Sequence, residues 1–465
     1  MKDEPQSQPV AGDEFERVPV PGNALKGPSA FWGMYAGEHT AGTEFMIGPL
    51  FLAAGVSAFD LVVGLLIGNL LAVLSWTFIC APIATRVRLT LYYKLEKICG
   101  SRLVLMYNLA NGLLFCFLAG AMISVSATAV GLPFDMHMPA LDEWAPTNVG
   151  WVAAVLMIGA VFAFVAAKGY DAMVRVANVS VPWMVLVFLA CGIVALPVLG
   201  IHSPAEFWSV AQTRIWRGGN PLPGQTKFTF WHVVFFAWFC NAAMHMGMSD
   251  MSILRYARKW YYGLASAAGM FIGHYMAWIA ASLLFAVQLI QQPDNLKVAP
   301  GPLAYNAAGI AGLVCVILAG WTTANPTIYR AGLAFQALAP QSSRFSVTMA
   351  AGGVATLGAL FPALAMKLLA FVGLYGTILM PMGAVIVVDV YVLKFLRRQS
   401  NYAERRGLSF NVAAGLAWLL ALAVCLLLNT LAGVQVYFLA LPGWVMAGVS
   451  YATLSVLLQD RTALV

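Results

Sequence analysis

Near the start of the chain, an apolar stretch long enough to cross a membrane, about 29–57, is interrupted by Gly37-Glu38-His39-Thr40-Ala41-Gly42-Thr43-Glu44. A carboxylate or imidazole at such depth costs several kcal/mol unless it faces a cavity, a partner or a transported solute. The two glycines allow a helix to open there and to present unpaired carbonyl and N–H groups to a ligand. Residues of these types at this depth fit transport better than a passive structural bundle.

Two further stretches carry polar chemistry inside apolar surroundings. The first, Phe239-Cys240-Asn241-Ala242-Ala243-Met244-His245-Met246-Gly247-Met248-Ser249-Asp250, is a poor lipid-facing helix, with Asn241 and His245 as polar groups and Gly247 as a flexible point. The second is Ala319-Gly320-Trp321-Thr322-Thr323-Ala324-Asn325-Pro326. Its two threonine hydroxyls either bond back to carbonyls one turn earlier or, with freed carbonyls, supply the oxygen ligands that a hard cation such as Na⁺ takes. Pro326 removes the helical hydrogen bond to the carbonyl of Thr322. Asn108 and Asn111, three apart, share a helix face and can bridge to a neighbouring helix. His274 reads as structural, and Asp389, before Lys394, Arg397 and Arg398, reads as an ion-pair or gate residue.

The elements that must position these residues are membrane helices. The 465 residues are 61% hydrophobic and only 10% charged, against about 25% charged in soluble domains. Stretches free of Asp, Glu, Lys and Arg cover 61–85, 103–134, 144–167, 176–205, 228–249, 260–293, 298–329, 345–366, 368–388 and 407–459. A span needs roughly 20 apolar residues. The last stretch holds two spans with a turn near Ala432-Gly433, and the interrupted first segment brings the expected total to twelve. The runs are continuous rather than alternating, which argues against a β-barrel, and helices then satisfy the backbone in lipid.

The net charge of +7 is topological and does not imply nucleic-acid binding. Alternate loops hold 17 Lys and Arg on one side and 5 on the other. The positive-inside rule places the basic side, and with an even helix count both termini, in the cytoplasm. Met1 to Leu25 is acidic and proline-bearing, lacks the pattern of a signal peptide, and reads as a disordered cytoplasmic tail. Residues 86–102 read as an amphipathic cytoplasmic connector, and 200–227 as a cap over the outer vestibule. The seven cysteines lie in or near spans and indicate no disulfide framework. The interrupted helices are the first and the sixth, the spacing that an inverted repeat of five plus five helices gives.

The run Gly-Trp-Thr-Thr-x-Asn-Pro at 320–326, followed by Tyr329 and Gly332, resembles the eighth helix of the nucleobase–cation symporter family, the cytosine, purine, hydantoin and allantoin permeases. Ile67-Gly68-Asn69, Asp250 through Arg255-Tyr256, and Met382-Gly383-Ala384-Val385-Ile386-Val387-Val388-Asp389 match the family in order and on the right helices. The cytosine permease branch is nearest, and the resemblance covers most of 26–400.

The resemblance implies an all-α, twelve-helix membrane protein of LeuT-like architecture. Residues 26–200 would form the first repeat, 228–400 the second, and 407–458 two additional helices, in a plasma (inner) membrane with both termini cytoplasmic. It also implies symport of a small nitrogen heterocycle with a coupling cation, Na⁺ or H⁺, no other cofactor, and no enzymatic step. Oxygens from Gly37, Thr40, Ala319, Thr322 and Thr323 would hold Na⁺, with a one-residue shift to Glu38 and Ala41 left open. The substrate ring would lie between Phe115 on the third helix and an aromatic residue on the sixth, with Phe239 favoured over Trp238 and Asn241.

The chain departs from the family where nucleobase edges are commonly read, with Gly112, Ala119 and Ala324 in place of amide side chains. Glu38, His39, Asn111, Asn241, His245 and Asn325 are the polar substrate-site candidates instead. A carboxylate with imidazoles suits an amine-bearing or cationic substrate, or proton coupling. An intramembrane metalloenzyme using Glu38, His39, Glu44 and His245 is a further alternative. No GxxxxGK[ST] phosphate loop is present.

Overall fold

The computed structural model describes residues 14–460 apart from 135, 137, 140–142 and 147. Helices dominate, and among the described residues two isolated bridges stand in place of strands. Among the described residues nine helices are long and apolar enough to cross a membrane: Ala58–Val87, Ser101–Phe134, Val149–Lys168, Tyr170–Val198, Trp260–Gln291, Pro300–Leu338, Gly373–Val392, Val412–Thr430 and Val436–Leu458. These occupy the positions expected for spans two to five, seven, eight and ten to twelve. The first position is Ser29–His39 followed by Glu44–Ala53, and the ninth is the sixteen-residue Arg344–Ala359. The sixth is Phe230–Phe239 followed by the one-turn pieces Ala242–His245 and Met251–Leu254.

The packing carries the repeat that the positions of the breaks foretold. The second half of the first span packs on the seventh, and the first half of the sixth packs on the second. Exchanging each helix for the one five places away, the first for the sixth and the seventh for the second, turns one pair into the other. The third span packs on the ninth and the eighth on the fourth, again related by five. Glycines mark the paired crossings. A Cβ at Gly48 would run into the Trp278 carbonyl, and one at Gly68 would run into the Val234 carbonyl. Small residues at such crossings let membrane helices approach through their backbones. Gly68→Val should therefore force the second and sixth spans apart, at a cost of about 1–3 kcal/mol. A fall in melting temperature of several degrees in detergent checks this.

The eighth span is longer than its apolar run. Within Pro300–Leu338 the chain kinks at Gly309, where φ 58° and ψ −140° suit glycine alone. Beyond Pro326 the helix continues past Arg330, so Arg330 is not in a loop as its place after the apolar run implies. It is fully buried.

Residues 1–13 lie outside the described residues, and 14–25 differ from the disordered tail that composition implies. The Tyr256 hydroxyl donates to the Glu14 carbonyl (2.8 Å), and Arg255 Nη1 donates to the Phe15 carbonyl (2.5 Å). The Thr90 hydroxyl donates to the Glu16 carbonyl, and the Val20 amide to the Arg88 carbonyl. The segment's carboxylates answer buried basic groups at the ends of spans, and a composition average cannot register that.

The connector forms a helix, Leu91–Cys99, capped by the Thr90 hydroxyl. Its inner face reaches into the bundle: Tyr92 donates to the Arg330 carbonyl (2.9 Å), and Lys94 pairs with Asp389 (2.8 Å). The partner of Asp389 is therefore Lys94 rather than a residue of its own basic stretch. On the opposite face, buried Trp216 donates to the Ser282 hydroxyl, and Leu222 and Phe228 bond to the carbonyls of Ala53 and Ala54. The 200–227 loop thus closes over the end of the first span.

Candidate functional site

The first helix stops at His39 because Thr40 leaves helical geometry at φ −97°, ψ 57°. The chain passes through Ala41 and Gly42 and resumes as a helix at Glu44. A helix end leaves its last carbonyls without intrahelical donors. Here they meet the eighth span. Thr322 donates to the Gly37 carbonyl and Thr323 to the Glu38 carbonyl, each at 2.8 Å. The same hydroxyls lie 3.3 and 3.0 Å from the Ala319 carbonyl. Five oxygens from two helices thus converge without a formal charge on any of them.

The arrangement gathers Gly37, Ala319, Thr322 and Thr323 in one place, with the Glu38 carbonyl as the second contribution of the first helix. Thr40 turns its hydroxyl back to the Ala36 carbonyl (2.7 Å). The two first-helix carbonyls that meet the eighth span are those of the consecutive residues Gly37 and Glu38, where a Gly37/Thr40 pair was expected. Oxygen donors of this kind, several of them neutral carbonyls, are the set a hard monovalent cation accepts.

Beside this cluster lies a cavity of about 70 Å³. One water needs roughly 10–15 Å³ measured this way, so several waters or part of a small ligand fit. Both broken helices line it: Glu38, His39, Ala41, Thr43 and Glu44 from the first, and Phe236, Cys240, Asn241 and Met244 from the sixth. Thr323 and Thr327, Leu118 and Met122, His274, Trp278 and Tyr375 complete the wall.

Three charged side chains close the basic-face end of this region. Arg330 Nη1 and Nη2 donate to the two carboxylate oxygens of Glu38 (2.5 and 3.1 Å), and Nη2 also donates to Asp250 (2.5 Å). The second oxygen of Asp250 accepts from the Tyr35 hydroxyl (2.9 Å) and Trp76 Nε1 (2.5 Å). One guanidinium therefore ties together the first, sixth and eighth spans. The bidentate geometry is the strongest available between these groups.

The other sequence candidates scatter. Glu38, His39 and Asn241 line the cavity. Phe115 lies outside its wall, against Tyr375 at 5.4 Å and beneath Arg330. Leu118 and Met122, one and two turns further along the third helix, face the cavity instead. Phe239 stacks on Trp238 (4.4 Å), and the sixth-helix aromatic in the wall is Phe236. His245 Nε2 lies 2.9 Å from the Trp238 carbonyl, which can only accept, so Nε2 carries the proton and donates. His245 packs on Trp76 at 4.7 Å, away from the cavity. Asn111 and Asn325 are buried elsewhere on their helices.

Sequence reasoning passed over Arg330, Trp278 and the role of His274. Trp278 Nε1 donates to Glu44, and the His274 ring stacks on the Trp278 ring at 4.2 Å. The signal for Arg330 was present: the apolar run resumes after it as Ala331-Gly332-Leu333-Ala334. Among the described residues no three His, Cys, Asp or Glu side chains converge to hold a metal ion.

No family model matches the chain, and no curated protein matches it in sequence. Solved structures do. Mhp1, a nucleobase–cation–symport-1 family transporter, in a closed conformation with bromovinylhydantoin bound, superposes with a TM-score of 0.71 at 15% identity over 94% of each chain. The inward-facing conformation of Mhp1 gives 0.67, also at 15% identity, over 94% of this chain and 93% of that one. A Na⁺-coupled sialic acid symporter in a substrate-bound outward-open state gives 0.67 at 14% identity, over 97% and 93%. At such identity the likeness establishes the fold. The LeuT-like architecture inferred from the breaks and the family motifs is the architecture present, and the closed form of Mhp1 fits it better than the inward-facing form.

Proposed function

We propose that this chain is a cation-coupled symporter related to the nucleobase–cation symporters, with Na⁺ as the coupling ion and a small planar nitrogen heterocycle as substrate. The observation that carries this reading is the convergence of the Gly37, Glu38 and Ala319 carbonyls with the Thr322 and Thr323 hydroxyls beside a cavity built at both helix breaks. Na⁺ there would supply positive charge without a proton. The two hydroxyls, now donors to the carbonyls, would turn their lone pairs inward beside them. Phe236, Trp278 and Tyr375 offer the flat apolar surfaces that select planar rings.

Glu38 joins the two sites. Its carbonyl belongs to the oxygen cluster, while its side chain lines the cavity and holds Arg330. Fixing its backbone therefore fixes a wall of the cavity, which is the physical link that reciprocal coupling requires. Closure toward either face would occur by rocking of the bundle that holds the two broken helices against the third and eighth spans. The Arg330 layer is the closure on the basic face.

The test is Na⁺ titration of thermal stability and of uptake into proteoliposomes, in wild type and Thr323→Ala. Loss of one oxygen should raise the half-saturating Na⁺ concentration about tenfold, equivalent to roughly 1.4 kcal/mol. Unchanged Na⁺ dependence in Thr323→Ala would reject the cation site.

A further inference from the structure

The two carboxylates in the cavity wall are not equivalent. Glu38 is matched by the Arg330 guanidinium. Glu44 is 2% exposed and has no arginine or lysine partner among the described residues. It accepts from Trp278 Nε1, and His274 Nε2 lies 3.9 Å from its carboxylate. A hydrogen bond from a neutral indole does not balance a buried carboxylate.

His39 supplies a second unanswered group. Its Nδ1 lies 2.8 Å from the Tyr35 carbonyl, which can only accept, so Nδ1 carries the proton of the neutral ring. Nε2 is then an acceptor, and it has no partner among the described residues although His39 is 2% exposed and lines the cavity. His39 and His274 stand 5.0 Å apart, ring to ring, so the free acceptor and Glu44 flank the same space. Asn241 Nδ2 is turned toward Cys240 Sγ and His274 Nε2.

The charge around the cavity completes the argument. Two carboxylates share one guanidinium among Glu38, Asp250 and Arg330, and Glu44 adds a further negative charge whenever it is ionised. Na⁺ in the oxygen cluster beside Glu38 offsets the excess of the first group. A carboxyl at Glu44 is then either protonated while the cavity is empty or matched by a positive charge bound inside it. Resting on the symport reading above, we propose that the transported substrate is an organic cation with N–H donors, an amidinium or aminopyridinium type of ring. Glu44 is its counter-charge and His39 Nε2 its second acceptor. Trp278, Phe236 and Tyr375 favour such a cation further, because aromatic faces attract positive charge. This inverts the preference expected of a site that reads neutral nucleobase edges.

The experiment uses the full-length protein in detergent and two matched pairs of probes at neutral pH: benzamidine with benzamide, and 4-aminopyridine with 4-pyridone. In each pair the first compound is a cation and the second a neutral ring of similar shape. Thermal stabilisation is titrated in Na⁺ and in K⁺ for wild type, Glu44→Gln and Glu44→Asp. Gln can still accept from Trp278, so Glu44→Gln should fold. The assignment predicts that at least one cation binds wild type, that its neutral counterpart binds at least tenfold more weakly, that Glu44→Gln erases the difference, and that Glu44→Asp retains it. Neutral rings binding as well as cations, a cation preference that survives Glu44→Gln, or silence of both cations would each overturn it. The Na⁺ response and its weakening in Thr323→Ala are read without any probe. Failure of the symport reading is therefore seen separately from failure of the substrate assignment.

Discussion

Arg330→Gln should leave little folded protein, and what folds should melt at least 10 °C below wild type. The substitution strands Glu38 and Asp250 in a region where neither has another cationic partner among the described residues. Removing one member of a buried ion network costs about 3–5 kcal/mol, because the desolvation of the remaining charges is no longer offset. Asp250 keeps the Tyr35 hydroxyl and the Trp76 indole. Glu38 keeps no side-chain donor among the described contacts. The double variant Arg330→Gln with Glu38→Gln should therefore recover at least half of the lost melting temperature. Melting curves and monodispersity in detergent decide it. A single variant that melts within a degree of wild type would show that the triad carries no net constraint. Recovery absent from the double variant would show that the guanidinium acts through packing rather than charge.

Most of the fold was legible because lipid imposes a simple demand. A backbone that must satisfy itself over about 30 Å of hydrocarbon leaves long uncharged runs, and these are visible in any sequence. The breaks were legible for the converse reason: Glu38, Gly42 and Asn241 are residues that lipid-facing helix interiors avoid. The threonine pair, too, was found with its partner helix. What escaped is whatever depends on how far a helix continues and which way it faces. Arg330 reads as the first loop residue only if the span stops where the apolar run stops. Phe115 and Leu118 are one turn apart, and only the crossing of the third and eighth spans decides which of them meets the cavity. Residues 14–25 are polar enough to look unstructured, yet they lie on buried Arg255, Tyr256 and Arg344 supplied by other parts of the chain. Long-range pairing of that kind leaves no periodic trace.

That segment leads to the second large effect. Arg255→Ala should open the cavity toward the basic face. Arg255 is fully buried, and it donates to the Phe15 carbonyl (2.5 Å), the Ser252 carbonyl (3.2 Å), the Tyr256 hydroxyl (2.9 Å) and the Tyr329 hydroxyl (3.3 Å). One side chain thus fastens residues 14–16, the second half of the sixth span and the eighth span in a layer nearer the basic face than Arg330. Glu14 and Glu16 add contacts to Arg344 at 3.6 and 3.4 Å. On the proposed alternating-access reading, opening on that face would part the sixth span from the eighth, and these bonds would be made only in the closed form. Hydrogen bonds from a charged donor are worth about 1.5–3 kcal/mol each. Losing even two net kcal/mol would shift the closed-to-open ratio by roughly thirtyfold. Thr327 lines the cavity and serves as a reporter. In a background with the seven cysteines replaced, Thr327→Cys should react at least tenfold faster with an impermeant thiol reagent applied from the basic face when Arg255 is Ala. Its reaction from the opposite face should slow, because the two openings compete for one bundle. Acceleration from both faces would mean that Arg255 holds the fold together rather than one gate. An unchanged rate from the basic face would place the closure wholly at Arg330, and the N-terminal segment would then be a passenger on a gate it does not fasten.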